Sequence, residues 1–225
     1  MITGHTDCFH PDQSGFLFLK RPHAKHIGLI ADTHVPDRSA SLSSAVYTIF
    51  SNVDLILHAG DISSPEVIEA LGKMAEVIAV RGNNRGDRKR FPKPLPEICM
   101  IDAAFGTEIV LYHGLDHYLQ RPGDVIQGRL GFADRCVRRV ARRVGRKFRN
   151  PGVIVFGHAH WPYVMRDGGT LFVNPGKAFG RRESSCAVMQ LGPRCIRIEI
   201  IELGIPGRIS QITGRTFEFP GINEW

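Results

Sequence analysis

A chain of 225 residues, 43% hydrophobic and 23% charged, is long enough to bury a sizeable core within one domain. No apolar run approaches the roughly 18 residues that a membrane span needs, and Phe16, Leu17, Phe18 and Leu19 fall short of the about 7–15 residues of a secretory core, so the sequence predicts a cytoplasmic protein with no membrane partner. The formal charge of +7 is concentrated: residues 131–150 hold eight Lys or Arg and one Asp, and outside them 21 basic residues balance 21 acidic ones.

Residues 1–22 lack periodicity and predict a poorly ordered extension ahead of a domain over 23–204. From residue 26 a theme repeats, a short apolar run with a polar or charged residue directly after it. The runs 26–31, 54–57, 76–80, 108–112 and 153–156 are short and β-rich, as strands buried on both faces are. Helix signals lie between the early ones. Leu42, Val46, Ile49 and Phe50 follow helical spacing. Ser64, Pro65 and Glu66 supply an N-cap, a proline at the first helical position and an acid near the positive helix end, and Gly72 can stop that helix. Strands alternating with helices predict an α/β fold with parallel pairing. Runs at 170–173, 186–191 and 195–201 make the second half richer in strands, and residues 205–225, with three glycines and two prolines, predict an irregular tail. The five cysteines have no C-x-x-C pair and predict free thiols.

The residues that end these runs carry the chemistry. Asp32 and His34 follow the first, Asp61 the second, Asn83 the third, His113 the fourth, and His158 and His160 the fifth. In open α/β sheets the carboxyl ends of strands converge on one crevice, so seven side chains can meet there. Residues two apart in an extended segment point the same way, which lets Asp32 with His34, and His158 with His160, grip one centre. A lone histidine after a strand is more often structural, but five such placements in order are hard to dismiss. Imidazoles, carboxylates and one amide without thiolate suit Mn, Fe, Zn, Co or Ni better than Ca or Mg. Seven donors exceed what one four-coordinate ion uses, and two ions sharing a carboxylate use them well.

In order, Asp32-Thr33-His34, Gly60-Asp61, Gly82-Asn83, His113-Gly114 and Gly157-His158-Ala159-His160 resemble the motifs of the calcineurin-like metallophosphoesterases, over about residues 26–200. The resemblance implies a four-layer αββα sandwich of two mixed β-sheets flanked by helices. It implies two divalent metal ions, Mn first and Ni, Co, Fe or Zn as alternatives. Asp32, His34 and His160 would hold one, Asn83, His113 and His158 the other, and Asp61 would bridge them. Phosphodiesters or phosphomonoesters would be hydrolysed by a hydroxide between the ions. Asn174-Pro175-Gly176 resembles a turn that follows in many such proteins.

The sequence departs from that pattern after the G-N pair, where Asn84 and Arg85 replace a His and an Asp. The usual proton donor to the leaving group is therefore missing. Asp87 stands two residues off, and His117 is the next imidazole after His113, a candidate general acid beside the catalytic Asp61 and Asn83. Arg85, Asn174, Lys177 and Arg181 are the candidate substrate contacts. Residues 131–150 carry an apolar stripe of Phe132, Cys136, Val140, Val144 and Phe148 with arginines elsewhere around the helix, a surface fit for a nucleotide or nucleic acid. Three functions follow: a two-metal phosphoesterase, a nucleic-acid-directed phosphoesterase, and a non-catalytic scaffold of the same fold, as in the retromer coat subunit. An oligomer is compatible with all three.

Overall fold

Runs of four or five apolar residues with no polar break have no face to offer water, and here they become inner strands of two sheets. The computed structural model describes residues 16–114, 148, 151–180, 183–204 and 214–220. One sheet has the order β1 (Phe16–Lys20), β5 (Ile98–Asp102), β6 (Glu108–Tyr112), β7 (Val153–Phe156), β9 (Thr170–Pro175), β8 (Pro162–Asp167). The other has the order β12 (Gly214–Pro220), β11 (Cys195–Glu202), β10 (Ser185–Leu191), β2 (His26–Ile30), β3 (Leu55–His58), β4 (Glu76–Ala79). Both are mixed. β2, β3 and β4 run parallel, as do β6, β7 and β9, while β10, β11 and β12 form an antiparallel meander beside β2.

Side chains alternate across each strand, and the alternation separates the cores. Ile27, Leu29, Leu55, Leu57, Ile109, Leu111, Val153, Val155, Leu171 and Val173 point inward and pack sheet on sheet. Ile30 and Ile56 point out, against helices α1 (Ser44–Ile49) and α2 (Pro65–Gly72), through Val46, Phe50, Val67 and Leu71. On the outer face of the first sheet Val110, Tyr112, Ile154, Phe156 and Phe172 gather around Phe148. The molecule is an α/β sandwich. The basic helix expected at 131–150 lies, Phe148 apart, outside the described residues.

Two boundaries differ from expectation. Residues 16–20, placed in a poorly ordered extension, form β1 and pair in parallel with β5, Phe16 opposite Ile98 and Lys20 opposite Asp102. Residues 214–220, placed in an irregular tail, form β12 and pair with β11. For β1 the partner strand is distant in sequence, and β12 follows a glycine- and proline-containing stretch, so nothing local marks either pairing. Cys99 and Cys186 are buried free thiols; Cys186 lies opposite Ile201 and Cys195 opposite Pro220, so the two do not face each other. Among the described residues no helix is long and apolar enough to cross a membrane.

Candidate metal centre

β2, β3 and β4 end side by side in one sheet, β6 and β7 in the other, and the segments after them meet at the seam. Asp32, His34, Asp61, His158 and His160 all hold positive φ, between 47 and 66°. For residues with a side chain this left-handed conformation costs of order 1–3 kcal/mol each. The D-x-H and H-x-H pairs therefore reach one centre through kinked loops, not the extended backbone that their spacing suggested. Backbone bonds hold the kinks: Asp32 N donates to Gly60 O at 3.0 Å and His34 N to Asp61 O at 3.0 Å. Gly82 is required by close approach, because a Cβ there would lie 2.1 Å from Asp61 Oδ1.

One oxygen of Asp61 faces each half of the cluster. Oδ2 lies 3.4 Å from His34 Nε2, and Oδ1 lies 3.5 Å from His113 Nε2. On the first side His160 Nε2 stands 3.4 Å from Asp32 Oδ1, and Asp32, His34, Asp61 and His160 each offer a donor atom within 4.8 Å of the others. On the second side His158 Nδ1 lies 3.3 Å from His113 Nε2 and 3.4 Å from Asn83 Nδ2.

These separations fit a metal. Donors bound to one ion at about 2.1 Å stand roughly 3.0–3.4 Å from one another. Asp32 is fully buried and Asp61 nearly so, and among the described residues both face histidines, not Lys or Arg. Buried carboxylates need a compensating cation. Asp32 Oδ1 and His34 Nε2 are buried with no hydrogen-bond partner among the described residues. One imidazole is oriented from behind. His113 Nδ1 donates to Ala59 O at 2.8 Å, which leaves the Nε2 lone pair facing the cluster. Burial lowers the His34 pKa, against the raising effect of Asp61.

Several residues act from behind. Asp87, weighed as a substitute acid, is buried, and its carboxylate accepts from Ile62 N, Ser63 N, Gly82 N and Asn84 Nδ2 at 2.7–3.0 Å. It ties the Asp61 loop to the Asn83 loop and does not face a leaving group. Asn84 caps α3 (Arg85–Lys89), accepting from Asp87 N, and its own N–H donates to Asp61 Oδ1 at 2.9 Å. Asn174, expected against substrate, is fully buried: Nδ2 donates to Gly157 O and Oδ1 accepts from Gly176 N, both at 2.8 Å. It shapes the His158 loop instead. Arg85 is exposed and Lys177 half-buried. His117 and Arg181 lie outside the described residues.

Two residues the sequence did not flag also belong here. His58 is fully buried on β3, its Nε2 3.1 Å from Thr33 Oγ1, which donates to Ile62 O; burial pushes its pKa down to about 3. Phe179 sets its ring edge-on to His34 and His160, with centroids 5.0 and 5.4 Å away. Neither sits in a motif, and only the folded chain brings them to the centre.

An α/β sandwich with a histidine- and carboxylate-rich metal cluster at its strand ends defines a class of metal-dependent phosphoesterases. The chain belongs to the calcineurin-like phosphoesterase superfamily, whose domain model matches residues 26–192. It is 34% identical over 166 residues to a probable metallophosphoesterase of Methanocaldococcus jannaschii, covering 73% of this chain and 74% of that one. It is 31% identical over 183 residues to a probable metallophosphoesterase of Methanothermobacter thermautotrophicus, covering 80% and 94%. In fold it is similar to Vacuolar Protein Sorting 29 from Cryptosporidium parvum, with a TM-score of 0.65 at 22% identity over 88% of this chain and 98% of that one.

Proposed function

We propose that the chain is a two-metal phosphoesterase acting on phosphodiesters or phosphomonoesters. The observation that carries it is the division of Asp61, one oxygen toward His34 and one toward His113. Asp32, His34 and His160 would hold one divalent ion and Asn83, His113 and His158 the other, with Mn the first candidate. Such ions, when bound, would lower the pKa of a water and neutralise charge on the phosphoryl oxygens.

The protein's part is orientation. His158 N donates to Asp32 Oδ2 at 3.0 Å, so that carboxylate keeps its other oxygen for the cluster. Asn83 is exposed, and its amide is suited to a phosphoryl oxygen at the rim. Arg85 and Lys177 attract the ester by charge.

The test is turnover of bis(p-nitrophenyl) phosphate by Mn²⁺-loaded protein, beside metal stoichiometry from equilibrium dialysis. Two ions per chain and turnover abolished in Asp61→Asn are expected. No turnover with Mn, Ni, Co or Zn would favour the scaffold.

A further inference from the structure

The loop after β9 is fastened to the centre. Ala178 N donates to Ala31 O at 3.0 Å and to Asp32 O at 3.2 Å, and Ser185 N to Lys177 O at 2.9 Å. The loop carries Lys177 and Phe179, and Phe179 lies against His34 and His160. A second cation arrives from the segment after β2. Arg38 N donates to His34 O at 2.7 Å, and its guanidinium carbon stands 5.3 Å from the Phe179 centroid, the same distance as Lys177 Nζ.

Among the described residues neither charge is neutralised by a carboxylate. Arg21, Arg81, Arg90 and Arg197 each have a carboxylate partner, Glu76, Glu97, Asp37 and Glu218. Among the described residues Arg38 and Lys177 have none, and what they share is one aromatic ring. A ring face contributes only about 0.5–1 kcal/mol to an exposed cation, while two cations brought to one ring repel each other. A bound anion that reaches both cations would relieve that repulsion.

We infer that Arg38 and Lys177, seated on Phe179, form a second anion subsite beside the metal centre, which selects phosphate esters carrying a further anionic group such as a second phosphate. This rests on the phosphoesterase reading only in that the scissile group lies over the metal cluster. Phe179 is a positioning residue: it orients both cations and touches two metal-ligand rings.

Calorimetric titration of the Mn²⁺-loaded full chain with 5′-AMP, ADP and adenosine 3′,5′-bisphosphate tests it. At least one two-phosphate ligand is expected to bind about tenfold tighter than 5′-AMP, the effect of one favourable charge contact. Arg38→Met and Lys177→Met are each expected to shrink that ratio, and the double variant to bring it near one. Raised salt should shrink it as well, since both cations are partly in solvent. Equal affinity for all three ligands in the wild type, or a ratio that survives in the double variant, overturns the subsite. Turnover of bis(p-nitrophenyl) phosphate in the wild type separates the two readings. With turnover and a ratio near one, the subsite falls alone; with no turnover and a ratio lost in the double variant, the phosphoesterase falls and the subsite stands.

Discussion

At the scale of single residues the centre is held by groups that never touch a substrate. Asp87 accepts four N–H donors, so Asp87→Ala leaves those donors buried without a partner. It is expected to cost about 3 kcal/mol or more in urea unfolding and to weaken metal binding. Unchanged stability, with a rate loss confined to poor leaving groups, would instead make Asp87 the acid. Asn84 is likewise committed, to the α3 cap and to Asp61, so neither side chain is turned toward a leaving group. Rates are therefore expected to fall steeply across aryl esters as leaving-group pKa rises, by the order of 10²–10⁴ that general acid catalysis is worth. A flat dependence would move the proton to another residue, such as His117. His58 sets a pH limit. Its folded pKa of about 3 lies below the ordinary value near 6.5, so its stabilising contribution is full above 6.5 and is lost as pH falls from there toward 3. In the metal-free chain this loss is about 2 kcal/mol at pH 5. His58→Gln, which cannot titrate, should flatten the fall between pH 7.5 and 5; an unaltered slope would clear His58 of it.

At the scale of elements, strand ends and loops were legible to different degrees. Strands 2, 3, 4, 6, 7, 9 and 10 announce themselves because consecutive apolar residues leave little else to do with such a segment, and β11 does so by alternation. The others do not. β1 has a visible apolar run, but its partner β5 lies some eighty residues on, and long-range pairing leaves no mark in local sequence. β8 opens on Pro162 and is only partly buried, and β12 alternates exposed and half-buried residues after a glycine-rich stretch. The metal donors were legible as motifs because each follows a buried strand. The backbone that delivers them was not, since positive φ at Asp32, His34 and Asp61 is uncommon outside glycine and is imposed here by tertiary contacts. Gly82 shows how little room is left. Gly82→Ala would push a Cβ to 2.1 Å from Asp61 Oδ1 and 2.2 Å from Asp61 N. It is expected to displace the carboxylate, cutting metal stoichiometry in dialysis more than it lowers the thermal midpoint of the metal-free chain. Full metal loading in the variant would mean that the two loops can separate without cost.

At the scale of the whole molecule, the centre joins the two sheets. Asp32, His34, Asp61 and Asn83 follow strands of one sheet, and His113, His158 and His160 follow strands of the other. Among the described residues, polar contacts that span this edge include His158 N to Asp32 Oδ2, His113 Nδ1 to Ala59 O, and the facing of Asp61 with His113, of His160 with Asp32 and of Asn83 with His158. A divalent ion bound to donors from both sheets acts as a cross-link that the unfolded chain cannot form. Binding to the native state alone contributes about 2.7 kcal/mol per site when free metal is a hundredfold above its Kd. In a chain of this length, each kcal/mol moves the thermal midpoint by about 2–4 °C. Saturating Mn²⁺ is therefore expected to raise the midpoint by roughly 5–10 °C per occupied site, and chelation to reverse it. Asp61→Asn keeps the shape and loses the charge shared by both halves, so most of that increment should vanish while the metal-free midpoint changes little. An increment of the same size in Asp61→Asn would show that the other donors hold the ions across the two sheets and that Asp61 is not the shared ligand.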